Sequence, residues 1–240
     1  MAFGTDRRYM TMAQAPAAQI DVGLRQYMLR VYNYMASALA LTGIVAVLVA
    51  SVPVLTQLFV LSPLKWVVML APIGFVFFLG ARIDRMSAST ASALFWVFAA
   101  LMGASLASVF LVFTGASIAR TFFVTAAAFA GLSLYGYTTK KDLSGFASFL
   151  IMGVIGIMIA GIVNIFLHSP MMQFVISAAG VLIFAGLTAY DTQRIKETYW
   201  EGANYGDVAT KSAVLGALSL YLDFINLFTF LLQFLGERRD

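Results

Sequence analysis

The chain has 240 residues, of which 61% are hydrophobic and only 11% are charged, and its mean hydropathy is +0.90. Such a chain has too little polar surface to cover a water-soluble globule, so the composition indicates an integral membrane protein. The net charge of +4 is explained by basic loops beside a membrane, and nucleic acid is not expected as a partner. The absence of cysteine excludes disulfides, thiolate metal sites and cysteine nucleophiles.

In chain order, a hydrophilic tail at 1–26 precedes seven hydrophobic runs that form one domain over 27–240. Each run is about 20 residues or longer, which lets a helix cross the ~30 Å hydrocarbon layer, and none alternates as a membrane strand does. We therefore predict an all-α integral membrane protein with seven transmembrane helices. The predicted spans are about 28–51, 57–81, 89–113, 117–137, 146–167, 171–193 and 213–236.

The distribution of lysine and arginine predicts the orientation of these helices. With the N-terminus in the cytosol, 11 of the 15 basic residues lie on the cytosolic side of the membrane. The other four are Lys65, Arg120, Arg238 and Arg239. Because loops rich in lysine and arginine stay in the cytosol, we predict a cytosolic N-terminus and a C-terminus outside. The tail at 1–26 is then cytosolic.

The last hydrophobic run contains a single charged residue, Asp223, between Ser212 and Gly236. Small and polar side chains recur there at alternating steps of four and three residues, which places them on one stripe of a helix. A carboxylate that faced lipid would cost several kcal/mol, so we expect the stripe to face protein or water and the helix to lie inside the bundle. The stripe consists of Ser212, Gly216, Ser219, Asp223, Asn226, Phe230 and Gln233.

Asp191 approaches the same side of the membrane from the sixth run. The sequence leaves open whether it meets Asp223, because the predicted helix ends place the two carboxylates at different depths. Both residues also have a structural interpretation. Asp223 can hydrogen-bond to Ser219, Asn226 or a neighbouring helix, and polar groups of this kind hold membrane bundles together. Asp191 can pair with Arg194 at helical spacing.

Enzyme signatures are absent from the sequence. There is no HExxH helix, no GxSxG turn with a histidine partner and no Walker-type phosphate loop. Neither Asp191 nor Asp223 lies in the GxGD context that is associated with intramembrane aspartyl proteases. We therefore predict that the protein is not an enzyme and has no catalytic residue and no cofactor.

Three separated segments in the second half of the chain carry a specific pattern. They are LYGYTTKKDLSG at 134–145, GLTAYDTQRIK at 186–196 and GALSLYLDFINLF at 216–228. With the seven hydrophobic runs, they resemble the Bax inhibitor-1 family of membrane proteins in its bacterial branch, and the resemblance extends from residue 24 to the C-terminus. It implies a multi-pass protein of the bacterial inner (plasma) membrane. It also implies that the last helix is central and surrounded by two three-helix groups.

The resemblance further implies a pH-sensitive calcium (cation) leak channel, in which the aspartates matching Asp191 and Asp223 form a latch at the cytosolic side. Two nearby carboxylates in a poorly hydrated site cannot both ionise cheaply, so the pair is expected to share one proton and to titrate as a unit. Loss of this proton would separate the sixth and seventh helices and expose oxygen atoms for transient calcium contacts at Asp191 and Asp223.

Three further residues are candidates for supporting this latch. Arg82 is the nearest match to an arginine that contacts the aspartates in some family members, although it also fits a topology signal. Ser219 and Asn226 share the helical face of Asp223.

Two other functions stay open beside the channel. The resemblance links bacterial relatives to modulation of a membrane-bound quality-control protease, and the wider family to stress responses, so the chain can also be an interaction protein. Protonatable residues inside a membrane are also typical of proton-coupled transporters. The expected partners are accordingly the lipid bilayer, calcium or other cations, and a membrane-bound protease.

Overall fold

The structure is a computed structural model that describes residues 14–200 and 206–239, and the side chains of residues 22–199 and 206–239. Helices make up nearly all of this part of the chain, and its only β-type pairing is one isolated bridge between Phe113 and Arg238. Seven helices are long and apolar enough to cross a membrane. The prediction of an all-α membrane protein with seven spans is confirmed.

The helices follow one another with short connections. In chain order they are α1 (Gln14–Ser51), α2 (Pro53–Thr56), a π-helical turn (Gln57–Leu61), α3 (Lys65–Arg82), a 3₁₀ turn (Ile83–Arg85), α4 (Ala88–Val112), α5 (Gly115–Thr138), α6 (Ser144–Leu167), α7 (Pro170–Trp200) and α8 (Gly206–Leu235).

The second span begins later than the hydrophobic run suggests. The run was expected to cross the membrane from residue 57, but α3 starts at Lys65 because Ser62 and Pro63 interrupt the helix. Proline disfavours helical geometry in the residue before it. The Ser62 hydroxyl accepts a hydrogen bond from the backbone N–H of Leu64 at 3.1 Å, which stabilises the turn.

Three spans are longer than predicted, and all three extend at the same end of the bundle. Helix α1 begins at Gln14, so the predicted boundary between tail and domain at 26/27 falls inside a continuous helix. Helix α7 continues to Trp200, beyond the predicted end at 193, and α8 begins at Gly206, before the predicted start at 213. Hydropathy marks where the lipid ends, whereas helices can continue into water beyond it.

Helix α8 lies at the centre of the bundle. It packs against α1, α4, α5 and α7, while α3 packs mainly on α4 and α6 packs mainly on α7. Thirteen residues of α8 are buried, but Leu150 is the single buried residue of α6. The helices α1, α3 and α4 form one group beside α8, and α5, α6 and α7 form the other. The predicted arrangement of two three-helix groups is confirmed.

One end of the bundle, here called the basic end, contains the start of α1, the end of α3, the α5–α6 loop, the end of α7 and the start of α8. The Lys211 ammonium donates to the backbone carbonyl of Asp84 at 3.3 Å, and the rings of Tyr27 and Tyr199 lie 5.5 Å apart. Nine of the described lysines and arginines are at this end: Arg25, Arg30, Arg82, Arg85, Lys140, Lys141, Arg194, Lys196 and Lys211.

Candidate functional site

The small and polar stripe of α8 faces α7 along most of its length. Gly216 packs against Ile195, whose Cγ2 lies 3.1 Å from the point where a Cβ of residue 216 would stand. Further along, the ring of Phe230 stacks on Phe184 with centroids 5.8 Å apart and covers Gly180. A small residue on each helix thus accommodates a large side chain of the other, so the two helices can approach closely. Such packing stabilises helix pairs in lipid, where the hydrophobic effect does not drive them together.

The end of this interface farthest from the basic end is held by amide groups. Gln173 donates from Nε2 to Oε1 of Gln233 at 2.6 Å, and the Ser177 hydroxyl donates to the same oxygen at 3.3 Å. Asn164 of α6 donates from Nδ2 to Oε1 of Gln173 at 3.2 Å. These contacts join α6, α7 and α8, and their role is structural.

Asp191 and Asp223 meet in the middle of the α7–α8 interface. Their carboxyl groups lie within hydrogen-bonding reach of one another. Asp223 is 4% exposed, and the side chain of Asp191 is 12% exposed. The Oδ2 atom of Asp223 is fully buried, and no N–H or O–H of the described residues donates to it. A hydrogen bond between two carboxyl groups needs a proton on one of them, so the geometry suits a pair that shares a proton.

Arg194 covers this pair on the side of the basic end. Its Nη2 lies 3.2 Å from Oδ1 of Asp191 and donates to the Ser219 hydroxyl of α8, also at 3.2 Å. The guanidinium carbon lies 5.7 Å from the centre of the Tyr190 ring, and half of the side chain is exposed. Arg194 therefore bridges α7 and α8 and places a positive charge between the aspartates and water.

The other predicted site residues lie apart from the pair. Arg82 is exposed at the end of α3, and within the described part of the chain it makes no ion pair or hydrogen bond with either aspartate. Asn226 donates from Nδ2 to the carbonyl of Leu222 on its own helix at 2.8 Å. The arginine beside the aspartates is Arg194, which the sequence indicated by its spacing of three residues from Asp191.

Residues that follow Asp191 fix α7 to the first and fifth helices. The Thr192 hydroxyl is hydrogen-bonded to Ser133 of α5 at 3.0 Å, and Ser133 is hydrogen-bonded to the Tyr32 hydroxyl of α1 at 2.6 Å. Thr192 also donates to the backbone carbonyl of Thr188 at 2.7 Å. This chain of hydroxyl groups was not anticipated, because its members are separated in sequence and no residue type marks them.

Gln193 attaches the α5–α6 loop to α7. Its Oε1 accepts from the backbone N–H of Leu143 at 2.8 Å, and its Nε2 donates to the carbonyl of Lys141 at 2.9 Å. Gly136 of α5 packs against the backbone carbonyl of Ala189, and a Cβ at residue 136 would have no room there. The segments at 134–145 and 186–196 are therefore in direct contact, and the segment at 216–228 contacts the second of them through Asp223 and Gly216.

The site offers few ligands for a permanently bound metal ion. Among the described residues there is no group of three or more histidine, cysteine, aspartate or glutamate side chains. Calcium sites in proteins use about six to eight oxygen ligands. The carboxylates of Asp191 and Asp223 and the hydroxyl of Ser219 supply only part of such a shell.

Comparisons with known proteins agree with these observations. A family model described as "Inhibitor of apoptosis-promoting Bax1" matches residues 24–240. A protein of Caulobacter vibrioides is 52% identical over 232 residues, which cover 92% of both chains. The inner membrane protein YbhL of Escherichia coli is 46% identical over 92% of this chain and 95% of its own. A membrane protein of Streptococcus pyogenes is 35% identical over 91% of this chain and 96% of its own.

Proposed function

The chain belongs to the Bax inhibitor-1 family of membrane proteins, and on that basis we propose that it is a pH-sensitive leak for calcium or other cations. The closed state is held by a proton shared between Asp191 and Asp223. The observation that carries the proposal is the placement of these two carboxyl groups side by side at the α7–α8 interface, where Asp223 Oδ2 is buried and accepts no hydrogen bond from an N–H or O–H of the described residues. The proposal needs no catalytic reaction and no cofactor.

The physical basis of the latch is the high cost of two adjacent buried negative charges. While one proton is shared, the pair carries a single charge, and the Arg194 guanidinium at 3.2 Å offsets it. When that proton leaves, two like charges face each other where little water can screen them, so they repel. Helix α7 then separates from α8 near Asp223, and the freed carboxylates and the Ser219 hydroxyl can contact a passing cation.

We place the basic end of the bundle in the cytosol. Nine described basic residues are at that end, against Lys65, Arg120, Arg238 and Arg239 at the other, and positively charged loops stay in the cytosol. The N-terminus is then cytosolic and the C-terminus is outside; Arg7 and Arg8 lie outside the described residues. Asp191 lies nine residues before the end of α7, or ~13 Å along the helix, so the latch responds to cytosolic pH.

Calcium flux into proteoliposomes as a function of pH tests this proposal. The variants are Asp191→Asn and Asp223→Asn, because an asparagine amide can donate the hydrogen bond that the proton supplies but cannot lose it. We expect low flux at all pH values in both variants, whereas the wild type conducts more as pH rises.

Asp142→Asn is the matched control for this experiment. Asp142 is exposed in the α5–α6 loop at the same end, and the hydrogen bond donated by Ser144 N–H, at 2.8 Å, lowers the pKa of its carboxyl group. It therefore remains ionised throughout the neutral range, and its replacement should leave the pH profile unchanged.

Each alternative function gives a different result in this experiment. A pH profile that survives Asp223→Asn would contradict the latch. Accumulation of calcium against its gradient under an imposed proton gradient would indicate a proton-coupled transporter. Absence of flux in all proteins would favour an interaction protein, such as a regulator of a membrane-bound protease.

A further inference from the structure

A cleft separates α1 from α5 on the outside of the bundle. It encloses a cavity of about 590 Å³, which is within the ~300–1,000 Å³ range of small-molecule sites. The floor is formed by the buried side chains of Met28, Met35 and Phe129. A second cavity of about 320 Å³ continues along the same two helices and shares Leu39 with the first. The two largely apolar cavities are therefore neighbours along α1 and α5.

The cleft opens sideways, in the direction of the bilayer. Its rim consists of exposed residues, Leu29 and Ala36 on α1 and Ala130 and Leu134 on α5. In a bundle that crosses the membrane, these positions face acyl chains. A largely apolar cleft that opens into hydrocarbon favours lipid over water, because water finds few hydrogen-bonding partners on its walls, and the Tyr32 and Ser133 hydroxyls among them are already bonded within the protein.

The mouth of the cleft at the basic end carries positive charge. Arg25 lines the cavity there and is exposed. Lys196 lies beside the mouth, where its ammonium donates to the backbone carbonyl of Tyr137 at 2.8 Å and lies 5.7 Å from the centre of the Tyr137 ring. None of the described residues that line the cavity is an aspartate or a glutamate. This charge distribution complements an anionic headgroup.

The length of the cleft matches one leaflet. From Arg25 to Leu39, helix α1 rises ~21 Å at 1.5 Å per residue, which spans half of the ~30 Å hydrocarbon layer together with part of the headgroup region. We propose that the α1–α5 cleft binds one acyl chain of an anionic phospholipid from the leaflet at the basic end, with the lipid phosphate at Arg25.

The acyl chain in the cleft lies against the hydrogen-bonded hydroxyl groups of Tyr32, Ser133 and Thr192, which attach α7 to its neighbours. Tyr32 and Ser133 line the cavity, and Ser133 is hydrogen-bonded to Thr192, the residue after Asp191. The lipid chain therefore packs over the hydroxyl groups that attach α7 to α1 and α5.

Native mass spectrometry of the purified full-length protein in detergent tests this proposal. The protein is titrated with phosphatidylglycerol or with phosphatidylcholine of the same acyl chains. We expect one retained phosphatidylglycerol per chain and weaker retention of phosphatidylcholine. Arg25→Gln should weaken phosphatidylglycerol binding about fivefold, the effect of one basic residue at an anionic surface, and should leave phosphatidylcholine unaffected.

Arg30→Gln is the matched control for the headgroup. Arg30 is on the same helix and is also exposed, but it lines a different surface, with Asn33 and Trp96. It should retain wild-type phosphatidylglycerol binding. Equal weakening by Arg25→Gln and Arg30→Gln would overturn the proposal, because it would show general surface electrostatics. Displacement of the lipid by inorganic phosphate at the same concentration would also overturn it, because the acyl chain would then contribute nothing.

Two variants test where the acyl chain binds. Ala36→Trp and Leu134→Trp each place a large side chain over the cavity from its rim, and Leu134 is already 63% exposed, so its replacement does not disturb the core. Both should reduce the binding of both lipids. Unchanged lipid retention in a folded Leu134→Trp protein would place the lipid elsewhere and overturn the proposal.

Discussion

Helices α6 and α8 show opposite relations between composition and burial. Helix α6 contains no charged residue over Ser144–Leu167, yet its single buried residue is Leu150. Helix α8 contains Asp223 and a stripe of small and polar residues, and thirteen of its residues are buried. In a water-soluble protein the more apolar helix would be expected inside.

The difference follows from the solvent. Lipid tails are as apolar as leucine, so burial of an apolar helix inside a membrane bundle gains little. A carboxyl group such as that of Asp223, by contrast, is costly in lipid and is stabilised by protein partners. The more polar helix therefore occupies the centre, and its polar stripe selects α7 as a neighbour.

The largest expected effect comes from the fit of small residues along the α7–α8 interface. Gly180→Leu forces a side chain into the ring of Phe230, whose atoms lie 2.6 Å from the position of a Cβ. We expect a loss of about 1–3 kcal/mol in the free energy of unfolding, measured as a lower thermal midpoint in detergent. Gly156→Leu on α6 has open space around it and should leave the midpoint nearly unchanged. An equal fall of the thermal midpoint in both variants would contradict the view that the α7–α8 interface is closely packed whereas α6 is not.

A smaller effect is expected at the arginine that bridges α7 and α8. The positive charge of Arg194 favours ionised carboxylates, so Arg194→Gln makes loss of the shared proton harder. The pH at which flux begins should therefore rise, by about one pH unit or less because Arg194 is half exposed. Arg82→Gln, which changes an exposed arginine apart from the pair, should leave the flux profile in place. A shift with Arg82→Gln alone would assign the supporting role to that residue.

The smallest effect concerns the amide contacts far from the basic end. Gln233→Leu removes the acceptor of Gln173 and Ser177. Because hydrogen bonds between membrane helices contribute on average ~0.6 kcal/mol, the thermal midpoint should fall only slightly. The pH dependence of flux should not change, since Gln233 does not contact the aspartates. A changed flux profile would show that the whole interface, and not the pair alone, controls opening.

The sequence predicted the number of spans and the central position of α8 because both follow from the cost of polar groups in lipid. It misplaced the ends of α1, α7 and α8, since helices continue beyond the apolar segments that hydropathy detects. It also placed the start of the second span too early, because backbone geometry at Ser62 and Pro63, and not hydropathy, interrupts the helix there.

At the site, the spacing on α8 predicted the face of Asp223 but not the meeting with Asp191. That meeting depends on the extra length of α7 at the basic end, which the sequence pattern does not show. The position of Arg82 relative to the pair depends on how α3 packs, and α3 lies mainly on α4. The cleft between α1 and α5 could not be predicted from the sequence either, because the apolar residue types that line a cavity are the same as those that face lipid.

The central claim is that one proton is shared between Asp191 and Asp223 while the protein is closed. Infrared difference spectroscopy of the reconstituted protein detects a protonated carboxyl group directly during a pH titration. We predict a carboxylic acid band in the wild type that is absent from the Asp191→Asn, Asp223→Asn double variant and that disappears over the pH range in which calcium flux rises. A closed wild-type protein without this band, or a band that persists unchanged as flux rises, would contradict the account.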